Sequence, residues 1–445
     1  MTISAPPATR RRLHPAWVVA AVAFLALIGA AGFRAAPGAL MVPLHDEFGW
    51  STSVMSLAVS INLVLFGLTA PFAAALMDRF GLRRVVAAAL SLVALGAGGS
   101  VLMTASWQLV VCWGVLIGLG TGSMALVFAA TIANRWFEQR RGLVMGILTA
   151  GSATGQLVFL PIVAALAEGA GWRPASLVIA GAALAVVPVV WLVVRDHPED
   201  RGVAPYGAAP DWTAPPRPAG GATRRAVEGL TYAARHRAFW ALAGAFAICG
   251  ATTNGLIGIH FIPSAHDHGM SATTAAGLLA VVGVFDIVGT IASGWLTDRF
   301  DPRALLVAYY LFRGLGLLLL PSLLADAVHP SMVLFIVVYG LDWVATVPPT
   351  AALCREVFGE RGTIVFGWVF ASHQLGAAVA ALGAGVIRDQ LGTYTWAWWG
   401  GAALCALAAV LSVVVVTARA PVVEEAIGQP SVGGSDLAAS RDAAR

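Results

Sequence analysis

The 445-residue chain reads as an all-α integral membrane protein, with twelve transmembrane helices in two six-helix bundles. Three observations carry that expectation: a shortage of charge, a succession of continuous apolar runs, and a sequence that repeats at a shift of 220 residues.

Hydrophobic residues make up 58% of the chain and charged residues only 11%. A soluble domain carries roughly 25% charged residues to dress its aqueous surface. A helix that crosses a bilayer needs about 20 mostly apolar residues, because each adds about 1.5 Å against a hydrocarbon core about 30 Å thick. The apolar runs are continuous rather than alternating, which excludes a β-barrel. All 27 basic residues are arginine, and the net charge of +4 loses its nucleic-acid implication once the charges are placed along the chain. Cys112, Cys249, Cys354 and Cys405 stand far apart with no CxxC pair, so neither a disulfide framework nor a metal site is expected. The chain has no phosphate-binding glycine loop, nucleophile elbow or HExxH motif, so it is read as no enzyme, without cofactor. The glycines of Gly118 to Ser123 and Gly383 to Val386 lie within apolar runs, where small residues let helices approach.

The first run follows Arg10, Arg11 and Arg12 and is too long for a cleaved signal segment, so it is the first helix. In order, the expected spans are 17–42, 51–76, 85–105, 107–132, 142–167 and 173–194, then 237–262, 272–297, 304–324, 331–353, 363–387 and 394–417. The polar, proline-rich stretch 195–236 reads as a flexible linker between an N-terminal bundle (1–194) and a C-terminal bundle (237–417), and 418–445 as a disordered tail. With the N-terminus inside, 23 arginines fall in inner segments and two, Arg173 and Arg388, in outer ones. That bias fits the positive-inside rule with both termini cytoplasmic, in the inner (plasma) membrane of a cell.

The shift of 220 residues superimposes Pro43 on Pro263, Gly49 on Gly269 and Ser51 on Ser271. It also brings Asp78-Arg79-Phe80 onto Asp298-Arg299-Phe300, Arg83 onto Arg303, Arg135 onto Arg355 and Arg141-Gly142 onto Arg361-Gly362. Six helices per repeat give the two halves the same orientation, the layout of a transporter that rocks two bundles around a central site.

Five ionisable residues fall inside spans: Arg34, Asp286, Arg313, Asp342 and His373. A charge at mid-membrane costs about 2.5–3.5 kcal/mol on insertion scales, so each is expected to face a cavity or a partner. Asp286, Thr290 and Ser293 form a polar stripe at helical spacing, as do Tyr339, Asp342 and Thr346. Arg313 is read as one partner of an intramembrane ion pair with Asp342 or Asp286. Arg34, followed by the helix-bending Pro37, is open to anion binding or to a structural pair. Asn62, Gln156 and Asn254 are open between touching solute and bridging helices. In the loop near the eighth span, His260, His266, Asp267 and His268 read as a solvated turn rather than a metal site, since the equivalent loop holds His45, Asp46 and Glu47.

The stretch MDRFGLRR (Met77 to Arg84), echoed by GWLTDRFDPR (Gly294 to Arg303), resembles the loop signature of the major facilitator superfamily, with Ala74 in place of a usual glycine. The resemblance covers nearly the whole chain and implies the major facilitator fold. It also implies a cytoplasmic gate latched by Asp78, Arg79, Gly81 and Arg83, with Asp298 and Arg299 as their counterparts. By the same resemblance helices 1, 4, 7 and 10 line a cavity with 2, 5, 8 and 11 beside them. Arg34, Asn62, Asp286, Tyr339, Asp342, His373 and Gln374 then become candidate substrate-binding residues, and Asp286, Asp342 and His373 candidate proton carriers.

Gly32 to Ser51, Tyr339 to Thr350 and Phe370 to Ala378 are similar to the monocarboxylate and oxalate/formate porters. Thr290 stands where many of those porters carry an arginine four residues after the aspartate, and His373 lies in the stretch where oxalate porters have a lysine. The expected function is alternating-access transport of a small organic anion, a monocarboxylate, by proton symport. A proton-driven efflux antiporter is the second reading: Gly142, Gly151 and Gly155 keep that group's helix 5 spacing, but Gln156, Phe159 and Leu160 replace the rest. A non-transporting sensor is the third. The expected partners are the anion, the proton and the bilayer, with no nucleic acid, and the chain is expected to be a monomer.

Overall fold

The computed structural model describes residues 14–124, 126–213 and 221–415. The arginines at 10–12, the linker stretch 214–220 and the tail 418–445 lie outside the described residues. Within them the chain is nearly all helical. Eleven helices are long and apolar enough to cross a membrane, and a further passage is built from the shorter apolar helix Ser106–Gly122 followed by Leu126–Trp136. In chain order the passages are α1 (Pro15–Phe48), α2 (Thr52–Phe80), α3 (Leu82–Ser100), α4 (Ser106–Gly122 with Leu126–Trp136), α5 (Arg141–Gly169) and α6 (Trp172–Val193). After the linker come α7 (Arg237–Asp267), α8 (Ala272–Thr297), α9 (Pro302–Leu323), α10 (Pro330–Phe358), α11 (Gly362–Leu391) and α12 (Thr395–Val414).

The matched Gly-x-Ser of the two halves has a physical basis. Gly49 ends α1 with φ 66°, and Gly269, just after α7, has φ 87°. This is the left-handed conformation that glycine adopts without steric cost. Two residues later, Ser51 Oγ accepts the Val54 amide (3.4 Å) and Ser271 Oγ accepts the Thr274 amide (3.1 Å), capping α2 and α8. One local instruction, stop and restart, is thus written twice.

The start of α1, the end of α4 and the linker share one side of the molecule, where Trp17 meets Phe137 and Tyr206 edge to face at 5.1 and 5.6 Å and those two rings tilt together at 5.9 Å. We call this the linker face and the other the far face. The linker, expected to be a flexible connection, holds ordered parts. Phe137 bridges to Tyr206, and a helix spans Ala222–Ala233. That helix sets Ala226, Gly229 and Ala233 on one side, at spacings of three and four, against α2 and α11. The Ala226 carbonyl accepts the Trp368 indole N–H at 2.8 Å.

Within the first half, α1 lies on α5 and α6, and α3 on α6; in the second, α9 lies on α12, and α7 on α11 and α12. Across the halves α2 meets α11, α5 meets α8, and α1 meets α7. Hydrogen bonds stitch the halves at the far face. Asp389, at the end of α11, accepts the Thr52 and Ser53 amides at 3.0 and 2.7 Å, capping α2 from the other half. Glu168, at the end of α5, accepts the Thr273 amide (2.9 Å) and the Thr273 hydroxyl, capping α8. A carboxylate at a helix N-terminus is favoured by the dipole and by unpaired amides, and the two latches occupy equivalent places in the repeat. At the linker face, Gly142 and Gly146 of α5 and Gly294 of α8 face open space. Glu168 joins α5 to α8 at the far face.

A single residue, Gly81, turns α2 into α3 with φ 88°. The Asp196 carboxylate lies so close that a Cβ on Gly81 would sit 2.5 Å from Oδ2, while Oδ1 accepts the Arg83 amide at 3.0 Å. Asp196 therefore caps α3 from the far end of the half.

Two outcomes follow from this geometry. Glu168→Gln combined with Asp389→Asn weakens two caps, each worth roughly 0.5–2 kcal/mol. Spin labels at Ala170 and Val328 should then gain a population at longer separation, and an unchanged distance distribution would contradict the latch. Gly81→Ala should lower the melting temperature in detergent, since a left-handed non-glycine residue costs about 1–2 kcal/mol. Gly169→Ala, at an open helical position, should leave it unmoved.

Candidate substrate site

A cavity of about 100 Å³ lies where α1, α2, α5, α7, α8 and α10 converge between the two halves. Its polar lining is Arg34, Asn62, Gln156, Asn254 and Asp286, with Trp343; the rest is aliphatic side chains, Phe33 and small residues. An apolar pocket with a few convergent polar groups is the usual form of a small-solute site.

Arg34 is half-buried, and its guanidinium stands 4.9 Å over the Phe66 ring, a cation–π contact. Among the described residues it has no carboxylate partner and donates no hydrogen bond. Asp286 faces the same cavity from α8. One of its oxygens accepts the Thr290 hydroxyl (3.1 Å) and the Val344 backbone amide (3.0 Å), and no cation pairs with it among the described residues. Asn62 donates to the Trp113 carbonyl at 2.7 Å, which fixes its amide at the cavity wall. Asn254 comes from the wide π-type turn Ala251–Ile257 of α7, a local widening that displaces carbonyls from their regular partners. The cavity therefore presents one unpaired cation and one carboxylate, the carboxylate held by neutral donors, to one small volume.

The remaining candidates do not line this cavity. Asp342 and Arg313 are buried together behind it, with Arg313 Nε 2.6 Å from Asp342 Oδ2. Tyr339 is buried and donates its hydroxyl to the Thr252 carbonyl at 2.8 Å. His373 is held between Phe246 (centroids 4.9 Å apart) and Phe370 (5.8 Å, stacked), and Gln374 is buried where α11 crosses Gly67 of α2. The far-face histidines serve local structure. His260 Nε2 is 2.8 Å from the Ala381 carbonyl, and His268 Nδ1 is 2.7 Å from the Ser264 carbonyl. Asp267 is gripped by Arg388 at 2.7 and 3.0 Å. Among the described residues no cluster of three or more His, Cys, Asp or Glu could hold a metal ion.

At the linker face Asp78 is 2.5 Å from Arg135 Nη2, and Arg135 also reaches the Asp196 carbonyl at 3.3 Å. Arg135 supplies the cation that a carboxylate needs at a helix C-terminus, where the dipole is unfavourable to it. Arg79 stacks on Phe80 and Arg83 on Trp191, with guanidinium-to-ring distances of 5.2 and 4.5 Å. The counterparts differ: Asp298 is exposed and joins no ion pair among the described residues, and Arg299 stacks on Trp295 at 4.0 Å. In this half Arg303 pairs instead with Glu356 at 2.5 Å and with Asp301 at 3.5 Å.

Sequence reasoning missed Trp343 and Asp196. Trp343 had a signal, since it precedes Pro348-Pro349, a pair that must interrupt a helix. Asp196 had none, because it lies 113 positions from the amide it caps. Arg135 stands out in the sequence only as a landmark of the repeat.

The family model of the Major Facilitator Superfamily matches residues 22–365 and again 255–441. An uncharacterized MFS-type transporter, YcxA of Bacillus subtilis, is 29% identical over 391 residues, covering 85% of this chain and 90% of that protein. Monocarboxylate transporter 11 of Mus musculus is 29% identical over 395 residues, covering 85% and 82%. Among solved structures, the D-xylose-proton symporter superposes with a TM-score of 0.69 at 15% identity, over 89% of this chain and 97% of that one. A bacterial homolog of the human lysosomal transporter Spinster, inward-facing and unoccupied, gives 0.67 at 15% identity, over 92% and 96%. At that identity the likeness shows the fold. Together with the helical passages and the central cavity, these matches establish that the chain belongs to the Major Facilitator Superfamily and is a multi-pass membrane transporter, not an enzyme.

Proposed function

We infer that the chain carries a small monocarboxylate and a proton together across the plasma membrane by alternating access. The observation that carries this reading is Arg34, an unpaired guanidinium in a small, mostly apolar cavity that also holds Asp286. A planar guanidinium binds a carboxylate through two parallel hydrogen bonds. The volume, about 100 Å³, is well below the roughly 300–1,000 Å³ of drug-sized sites, which favours a solute of a few heavy atoms over an efflux substrate. The monocarboxylate transporters among the relatives agree with this reading.

Proton coupling follows from charge. With Asp286 ionised, an incoming carboxylate meets a like charge in the same enclosed space. With Asp286 protonated that repulsion is gone, and Arg34 is left as the attracting charge. Since coupling is reciprocal, the bound anion favours the proton as much as the proton favours the anion. Asp286 takes this role because it lines the cavity, whereas Asp342 is committed to Arg313 and His373 lies between two aromatic rings.

The arginine bias puts the linker face and both termini in the cytoplasm. The latches of Glu168 and Asp389 then close the outer side, and the bundles 1–194 and 237–417 are the units that rock. In this orientation the chain is poised to release solute inward. The Asp78–Arg135 pair belongs to the inner gate.

Reconstituted into proteoliposomes, the protein should accumulate small monocarboxylates when the far face is acidified. Arg34→Gln should lower apparent affinity by about tenfold or more, the loss of a charge-assisted bond of about 1.5–3 kcal/mol. Asp286→Asn should retain anion exchange and lose pH-driven accumulation. Undiminished pH-driven uptake in Asp286→Asn would remove this carboxylate from the coupling step. Wild-type vesicles indistinguishable from protein-free ones across the panel would end the monocarboxylate reading.

A further inference from the structure

The second wall of the cavity is a broken helix, and the buried ion pair behind it holds the break. In α10 the regular ladder stops after Asp342 and resumes at Val347. Pro348 and Pro349 lack the amides that would serve the carbonyls of Val344 and Ala345, four residues earlier. An orphaned carbonyl in a membrane interior is costly, so each must find another donor. The Val344 carbonyl takes the Val347 amide in a tighter turn (2.9 Å), and the Ala345 carbonyl takes the Ser293 hydroxyl of α8 (2.5 Å).

Arg313 serves the end of the first segment. Its Nη2 donates to the Asp342 carbonyl (2.6 Å) and reaches the Trp343 carbonyl (3.4 Å), while Nε donates to the Asp342 carboxylate (2.6 Å) and Nη1 to Cys249 Sγ (3.0 Å). A cation is thus seated at the negative end of a half-helix, and the side chain of that half-helix's last residue neutralises it. The break also releases an amide. Val344 N–H, which in a continuous helix would serve Gly340, donates to Asp286 instead, because the Trp343 amide has taken the Gly340 carbonyl at 3.1 Å. Trp343, which lines the cavity, and the Val344 amide, which meets Asp286 at its wall, both lie in the interrupted stretch.

We propose that Arg313 and Asp342 are positioning residues for transport: as a pair they fix the interruption of α10 that aims Trp343 and the Val344 amide at the substrate cavity and at Asp286. Neither touches the solute. This extends the proposed function, resting on its identification of the cavity, and it replaces a direct substrate or proton role for Asp342. The pair is nearly excluded from solvent, with side-chain exposures of 0% for Arg313 and 7% for Asp342, which suits a clamp and not a ligand.

The test pairs hydrogen exchange of the full-length protein, which needs no solute, with transport. Removing one charge strands the other in the interior, so the informative variant is the neutral pair Arg313→Met with Asp342→Leu. Amides in 343–347 should exchange about tenfold or more faster than in the wild type, while those in α3 and α6 stay unchanged. Maximal transport rate should fall more than the KM of lactate rises. Arg313→Lys, which keeps a cation and donors at the carbonyls, should restore much of both. Unchanged exchange in 343–347 overturns the proposal whatever happens to transport. Changed exchange with unaltered lactate kinetics also overturns it, by showing that the break does not serve the cavity. If the neutral pair does not fold, Arg313→Lys decides: wild-type exchange with transport abolished assigns Arg313 to the solute and rejects the clamp. If the wild type carries no monocarboxylate at all, the exchange arm still reads the clamp, so failure of the functional reading stays distinct.

Discussion

A charge inside a bilayer must be paired or wetted, and the arrangement of this protein follows from how it meets that demand at four side chains. Arg313 and Asp342 are paired with each other and buried. Arg34 and Asp286 are left without ionic partners among the described residues, and both face the same cavity. One cation–carboxylate couple is closed on itself, and the members of the other are left open to the cavity. Paired directly with each other, Arg34 and Asp286 would offer an anion nothing to bind.

The two couples are linked through α10. Its double proline makes an interruption unavoidable, and the interruption creates both unserved carbonyls and a free amide. Arg313 and Ser293 serve the carbonyls, and Asp286 takes the amide. Irregular backbone is tolerated at membrane depth where protein buries it or a cavity borders it, and here it has both settings. At the ends of the helices the same economy recurs. Carboxylates of Asp389 and Glu168 cap helices of the opposite half at the far face, while Asp196 caps α3 of its own half near the linker. On the proposed alternating-access cycle, the two cross-half caps join the units that separate, so they are bonds that must break.

Much of the architecture was legible from the chain. Apolar runs place every passage, with ends that differ from the helices by up to six residues (42 against Phe48 in α1), since length and composition alone decide what can cross a bilayer. The repeat was legible because Gly49-x-Ser51 and Gly269-x-Ser271 encode a local stop and cap that owe nothing to tertiary context. The site was only partly legible. Spacing places Asp286 and Thr290 on one face, and their hydrogen bond is there. Spacing cannot say which of Asp286 and Asp342 meets the cavity, because both lie on polar stripes and only packing separates them. Asp196 and Glu168 act on residues 113 and 105 positions away, a distance no window of local sequence spans. The helix in the linker was hidden by its surroundings: prolines just before it suggested a flexible chain, but Ala226 and Gly229 give it a narrow face that fits α2 and α11.

The most direct measurement is chemical access to the cavity wall at Ala280, a lining residue of α8. With cysteine at that position, a membrane-impermeant thiol reagent should react faster from the linker face than from the far face. Lactate should slow the reaction when Arg34 is present and have no effect in Arg34→Gln. Reaction from neither face, or equal protection by lactate with and without the guanidinium, would contradict the claim that an unpaired arginine in a water-reached hollow is what this transporter offers its solute.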